Sequence, residues 1–277
     1  MTPDGAAAAT LRELDRDRYF ASLFLPQPSR APIQALYAFS AEIAAVRERA
    51  HEPAPGEIRL RWWADALEGE GHGDVRGNPL AAALLDAIAA YQLPTAPLVK
   101  LIEARRFDLY QDPMPDLASF EGYAGETVSV LYQLATMVLA GGPTEAGDAA
   151  GHLGVAQALV GHLRAFGYNA AHGRIFLPWS ILAAHTVREA DIFAGRSSAG
   201  LEAARRQICE LAAEHLSKAE AAVRALPRPL RPVFVAGPVL GAQLRTLSAV
   251  ADPFALPPDM SDFDKLARMA RARWLGW

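Results

Sequence analysis

Apolar residues recur at intervals of three and four along nearly the whole chain, and this periodicity confines it to helices. Leu36, Phe39, Ile43 and Val46 make one such run, Leu80, Leu84, Leu85, Ile88 and Tyr91 a second, and Leu98, Leu101, Ile102 and Leu109 a third. Such spacing lines side chains along one helix face, whereas the period-two alternation of a half-buried strand is nearly absent. Breakers separate the runs, at PQPS (26–29), EPAPGE (52–57), GEGHGDVRGNP (69–79), DPMPD (112–116), GGPTEAGD (141–148) and LPRPLRP (226–232). Their positions predict roughly eight to ten helices. Much of the apolar content is alanine, the strongest helix former. No break reads as an interdomain linker, no repeat of fixed period is visible, and heptads are not sustained. The 277 residues are therefore expected to form one all-α domain, residues 1–277, with 1–12 expected to be disordered.

Charge and cysteine usage narrow the function classes. A net charge of -4, with no basic run interleaved with aromatics, argues against nucleic-acid binding. Cys209 is the one cysteine; it cannot form an internal disulfide, which fits a reducing compartment, and it reads as a small buried apolar residue. No CxxC or HExxH spacing suggests zinc, and His152, His162 and His172 fall at spacings that do not converge on a metal. The opening residues MTPDGAAAAT lack a signal-peptide pattern, so a cytoplasmic location is expected. Pro232–Leu244 is apolar but too short to cross a bilayer, which takes about 20 residues, and reads as a buried helix. The segment FDKLARMARARWLGW (263–277) sets Leu266, Met269 and Trp274 among Lys265, Arg268, Arg271 and Arg273. It reads either as a helix docked on the domain or as a basic amphipathic contact with the inner membrane surface.

Three stretches, RYFASLFLPQPSRAPIQALYAF (18–39), FEGYAGETVSVLYQLA (120–135) and GVAQALVGHLRAFGYNAAHGRIFLP (154–178), occur in the order and spacing of one family. Together they resemble the squalene/phytoene synthase family of head-to-head prenyl transferases. The resemblance implies a terpenoid-synthase-like fold, helices around a central cavity. It also implies two DxxxD-type motifs on facing helices that hold a diphosphate through magnesium, a hard cation with oxygen ligands. Here those motif positions carry Ala44, Ala45 and Glu48, then Ala165 and Asn169, and the family's upstream glutamine and asparagine stand as Ala158 and Gly161. The catalytic and metal-binding carboxylates are thus largely missing, and no metal or other cofactor is expected.

What persists of the family frame is Arg30, Tyr37, Glu48, Tyr123, Arg164 and Arg174, the last in GRIFLP, with Phe176 where the family commonly has tyrosine. These six are the candidate anion-binding and cavity-wall residues. Arginines can hold a prenyl or lipid phosphate by bidentate hydrogen bonds without metal. The alternative for Arg164 and Arg174 is an ion pair or helix cap, and for Glu48 a solvated charged face. EIRLRWWADAL (57–67), EARRFDL (103–109), YAGETVSVL (123–131) and HLRAFGYNAAHGRIFLP (162–178) are similar to the complex I assembly factor 6-like subgroup of that family, which lacks the aspartate-rich motifs. That resemblance implies a catalytically impaired or inactive protein with a partner in respiratory-complex assembly. The competing reading is an active prenyl transferase of isoprenoid biosynthesis, condensing two prenyl diphosphates at a degenerate magnesium site.

Overall fold

The computed structural model describes residues 2–50 and 52–277, and no strand forms among them. The α-helices, in chain order, are α1 (Pro3–Leu14), α2 (Arg16–Ser22), α3 (Gln27–Arg49), α4 (Pro53–Glu68), α5 (Pro79–Tyr91), α6 (Ala96–Arg105), α7 (Leu117–Ala124), α8 (Val130–Ala140), α9 (Gly147–Arg164), α10 (Phe166–Ala171), α11 (Trp179–Ala184), α12 (Glu189–Phe193), α13 (Ala199–Ala225), α14 (Gly237–Ala249) and α15 (Asp262–Leu275). Ten of these run for ten residues or more. The excess over the expected number comes from short pieces: the segment 154–178 breaks at Ala165 into α9 and α10, and α11 and α12 are single turns and a half.

The breakers act by known local chemistry. Pro53 and Pro79 start α4 and α5, where a missing N–H costs nothing, and Asn78 caps α5 by accepting from the amides of Leu80 and Ala81 at 3.0 and 3.2 Å. Helices α4 and α8 stop at Gly69 and Gly141, both left-handed, with φ 80° and 77°.

The expectation of disorder for residues 1–12 is corrected, Met1 alone lying outside the described residues. Thr2 caps α1, and Ala6, Ala7 and Leu11 are buried as α1 lies along α3 and α5. The alanine run that reads as low complexity is an apolar stripe thin enough for close helix packing, and it loses almost no side-chain entropy on burial.

One continuous cluster of buried side chains runs from Ala7 and Leu11 through Phe39, Phe120, Leu131 and Leu159 to Ile208 and Phe234. Helix α9 packs along α13, and α3 touches α1, α5 and α8. A π-turn at Gly125–Ser129 joins α7 to α8, and α9 approaches it so closely that a Cβ on Gly154 would lie 2.1 Å from Ser129 Oγ. The segment 232–244 is buried as expected, through Val233, Phe234, Val239, Leu240 and Leu244, in a 3-10 turn followed by α14.

Candidate functional site

The C-terminal half of α3 carries Ser40, Ala41, Ala44, Ala45, Arg47, Glu48 and Arg49 along one wall of a pocket of about 490 Å³. The opposite walls are Leu14, Asp15 and Arg18 from the α1–α2 corner, Arg105 at the end of α6 and His162 on α9. The first motif of the family resemblance therefore does line a cavity. Alanines stand at two of its acidic positions.

The two carboxylates of the lining are already engaged. Asp15 accepts from the Arg18 amide at 2.9 Å and from its guanidinium at 3.1 Å, capping α2. Glu48 accepts from Arg47 Nε at 2.8 Å and from the Tyr168 hydroxyl at 2.6 Å, and Arg174 lies 3.7 Å away. Desolvation works to raise the Glu48 pKa, but the Tyr168 hydrogen bond and the charges of Arg47 and Arg174 outweigh it and hold it below the ordinary glutamate value. On the second motif, Ala165 ends α9 and Asn169 is buried with its Oδ1 unpartnered. A magnesium ion needs several convergent oxygen ligands. Two separated carboxylates, each bound to arginine, do not fit that demand.

What the pocket offers is positive charge. Its lining carries four guanidiniums to two carboxylates, though each guanidinium has an acidic partner: Arg18 has Asp15, Arg47 has Glu48, Arg49 has Glu42 and Arg105 has Asp108. Three of these guanidiniums lie over aromatic rings: Arg18 over Tyr37 at 5.5 Å, Arg47 over Phe176 at 4.9 Å and Arg105 over Tyr123 at 5.4 Å. Such stacking fixes a guanidinium plane, and each of the three already spends part of its N–H edge on an acidic partner, Asp15, Glu48 and Asp108 respectively. Ser40 Oγ and Arg105 Nε are buried in this lining and have no hydrogen-bond partner among the described residues. Both can donate to an oxygen anion.

Behind Arg105 is a buried polar triad. Tyr123 donates to Asp108 Oδ1 at 2.7 Å, and Arg105 donates to Asp108 Oδ2 at 2.9 Å and to the Tyr123 oxygen at 2.7 Å. Burial pushes the Tyr123 pKa up, and the Tyr37 pKa likewise, so both stay neutral. His162 stacks on Phe176, with ring centroids 4.9 Å apart and planes at 16°, and meets Phe120 edge-on. Desolvation is the main reason its pKa is pushed down to about 3; Asp108 opposes the shift, while Arg105 and Arg47 add to it.

The six residues singled out from the sequence do not form one cluster. Glu48 lines the pocket, and Tyr37 and Tyr123 stand behind it under Arg18 and Arg105. The expected convergence of Arg30, Arg164 and Arg174 is corrected. Arg30 donates to the carbonyls of Leu23 and Leu25 at 2.8 and 3.0 Å, tying down the end of α2. Arg164 pairs with Asp259 at 3.0 Å, and Arg174 sits beside Glu48. Arg30 and Arg164 thus have partners of their own, whereas Arg174 shares Glu48 with Arg47 and Tyr168, and its buried Nε and Nη1 have no hydrogen-bond partner among the described residues. The arginines of the pocket are instead Arg18, Arg47, Arg49 and Arg105, none of them among the six. EARRFDL holds Arg105 and Asp108, but an i, i+3 pair of opposite charges reads equally as a surface pair, and only the 3-10 turn after α6 turns Asp108 inward. The three histidines go separate ways: His152 meets His215 at 3.1 Å, His162 is in the pocket wall, and His172 bonds the Tyr168 carbonyl.

Comparison with known proteins gives this arrangement a context. The chain is similar to bovine NADH dehydrogenase (ubiquinone) complex I, assembly factor 6, at 29% identity over 87% of this chain and 72% of that protein. It is similar to a 15-cis-phytoene synthase of Synechococcus elongatus at 26% identity, over 77% of this chain and 73% of that one. A crystal structure of a dehydrosqualene synthase in complex with ligand superposes with a TM-score of 0.78 over 98% of this chain and 95% of that one, at 17% identity. This likeness bears on the fold alone. The squalene/phytoene synthase family model matches residues 11–273, and the chain belongs to the squalene/phytoene synthase family.

Proposed function

We propose that this protein is a binding factor of the respiratory complex I assembly type, which keeps the family's helical pocket without its prenyl-transfer chemistry. The observation that carries the reading is the exchange of charge in the pocket. Where the family resemblance calls for converging carboxylates, α3 presents Ala44, Ala45 and an arginine-paired Glu48, and the lining has four guanidiniums. Similarity to assembly factor 6 proteins from cattle and humans supports it. In this account the pocket takes the phosphate end of a prenyl or lipid molecule through Arg18, Arg47, Arg49 and Arg105, with Ser40 as a further donor.

No described helix is long and apolar enough to cross a membrane. A peripheral contact is assigned to α15. Phe263 and Trp274 are 79% and 73% exposed, and residues eleven apart stand about 20° apart around a helix, so both lie on one outward stripe. Arg271 and Arg273 flank that stripe, the pattern of a segment that rests on anionic lipid. Its other face docks Met269 on the protein, which leaves the outward stripe for the proposed lipid contact.

Isothermal titration with farnesyl diphosphate in EDTA tests the pocket. Saturable binding without magnesium, weakened about tenfold, or ~1.4 kcal/mol, in Arg18→Met, is the expected result. Binding that requires magnesium, or that Arg18→Met leaves unchanged, contradicts it.

A further inference from the structure

A second concavity lies on the outer face of α4 and α6, away from the arginine pocket. Its floor is Leu60, Ala64 and Ile102, with Trp62 and Val99 partly exposed, and it encloses about 550 Å³. Ile58 stands at its lip with 71% of its surface in water. On α4, Glu57, Arg61, Asp65 and Glu68 follow one another at four, four and three residues, a charged ridge down one side; Glu103 and Arg106 form the other. The walls are thus a charged row on α4 and a shorter one at the end of α6, joined at one end by the Arg106–Glu57 ion pair, and the apolar floor between them is of the kind that receives a helix.

The charge of the rim is unequal. Arg61 is held by Asp65 at 2.6 Å and Arg106 by Glu57 at 2.8 Å, while Glu68 and Glu103 make no ion pair among the described residues, and Glu70 adds a further carboxylate 3.9 Å from Arg61. Four acidic groups and two basic ones line the groove. The rim therefore offers a net negative field around an apolar floor.

We propose that this groove is the docking site for an amphipathic helix of a partner protein, one whose apolar face is bordered by lysine or arginine. The occupant enters with an apolar residue over Trp62 and Val99 beside Ile58, and its basic border meets Glu68 and Glu103. The proposal deepens the binding-factor reading, on which it rests for the expectation of a protein partner, and it assigns that partner to a face separate from the arginine pocket.

Fluorescence anisotropy on the full chain at physiological salt tests it, with a labelled amphipathic Leu/Lys helical peptide and a Leu/Glu peptide of the same pattern as probes. Saturable binding of the Leu/Lys peptide and none of the Leu/Glu peptide is expected. The double variant E68K/E103K is expected to weaken binding at least about tenfold. Ile58→Glu separates docking from simple charge attraction: it adds an acid, so unspecific attachment tightens, whereas insertion into the groove weakens. Reversal of Glu210 and Glu214, exposed on α13, is expected to change nothing. Tighter binding to Ile58→Glu, equal binding to E68K/E103K, or no binding at all overturns the proposal. So does a wild-type dimer in sedimentation that Ile58→Glu dissociates, which would make the occupant a second copy. Farnesyl diphosphate titration reads the other pocket, so either idea can fail alone.

Discussion

Asp108 is 2% exposed, and its carboxylate is tolerable there only because Tyr123 and Arg105 donate to both oxygens. Tyr123→Phe leaves one oxygen of that carboxylate short of a donor and is expected to lower unfolding free energy by about 1–3 kcal/mol in denaturant titrations. A change within error would mean that water replaces the hydroxyl. The histidines set a pH dependence of defined sign. Burial holds His162 at about 3, and burial together with His152 lowers His215, with Glu121 and Glu214 opposing and Lys218 assisting. An unfolded histidine titrates near 6.5, so below that pH the unfolded chain binds protons that the folded one refuses. Stability is therefore full above about pH 6.5 and falls as pH drops toward 3, by at most about 1.4 kcal/mol per pH unit for each such group. Replacing His162 with Gln is expected to flatten that slope; an unaltered slope would refute the assignment. Glu48 acts in the same direction lower down, since a depressed carboxyl stabilises above its unfolded value and loses that contribution as acid protonates it.

Among the elements, α3 was the most legible from sequence, because its apolar spacing fixes its face and EPAPGE follows its end, although PQPS lies within its cap and first turn rather than in a loop before it. Its pocket wall was legible too, through the motif positions Ala44, Ala45 and Glu48. The break of α9 at Ala165 was not, since nothing in HLRAFGYNAA stops a helix by composition and tertiary packing decides it. Nor was the fate of the arginines: side chains this long choose partners from residues distant in the chain, such as Asp259 for Arg164. Helix α15 showed its basic amphipathic character in the sequence but not which face docks. In vesicle co-sedimentation the protein is expected to pellet with phosphatidylglycerol-containing membranes and not with phosphatidylcholine alone. The double variant F263A/W274A is expected to stay in the supernatant with an unchanged melting temperature, these side chains being solvent-exposed. Retention of that variant on the vesicles would assign the contact elsewhere.

At the scale of the whole molecule, the all-α family fold is present while the pocket beside the first motif is lined by four guanidiniums and two carboxylates. Converging carboxylates would repel one another with no metal bound, and Ala44, Ala45, Ala165 and Asn169 are free of that repulsion. The proposed role is binding without prenyl transfer. Pyrophosphate release from farnesyl or geranylgeranyl diphosphate, followed with and without magnesium, separates that role from catalysis. No release above the uncatalysed background is expected in either condition. Magnesium-dependent release that disappears in Glu48→Ala would overturn the proposed role.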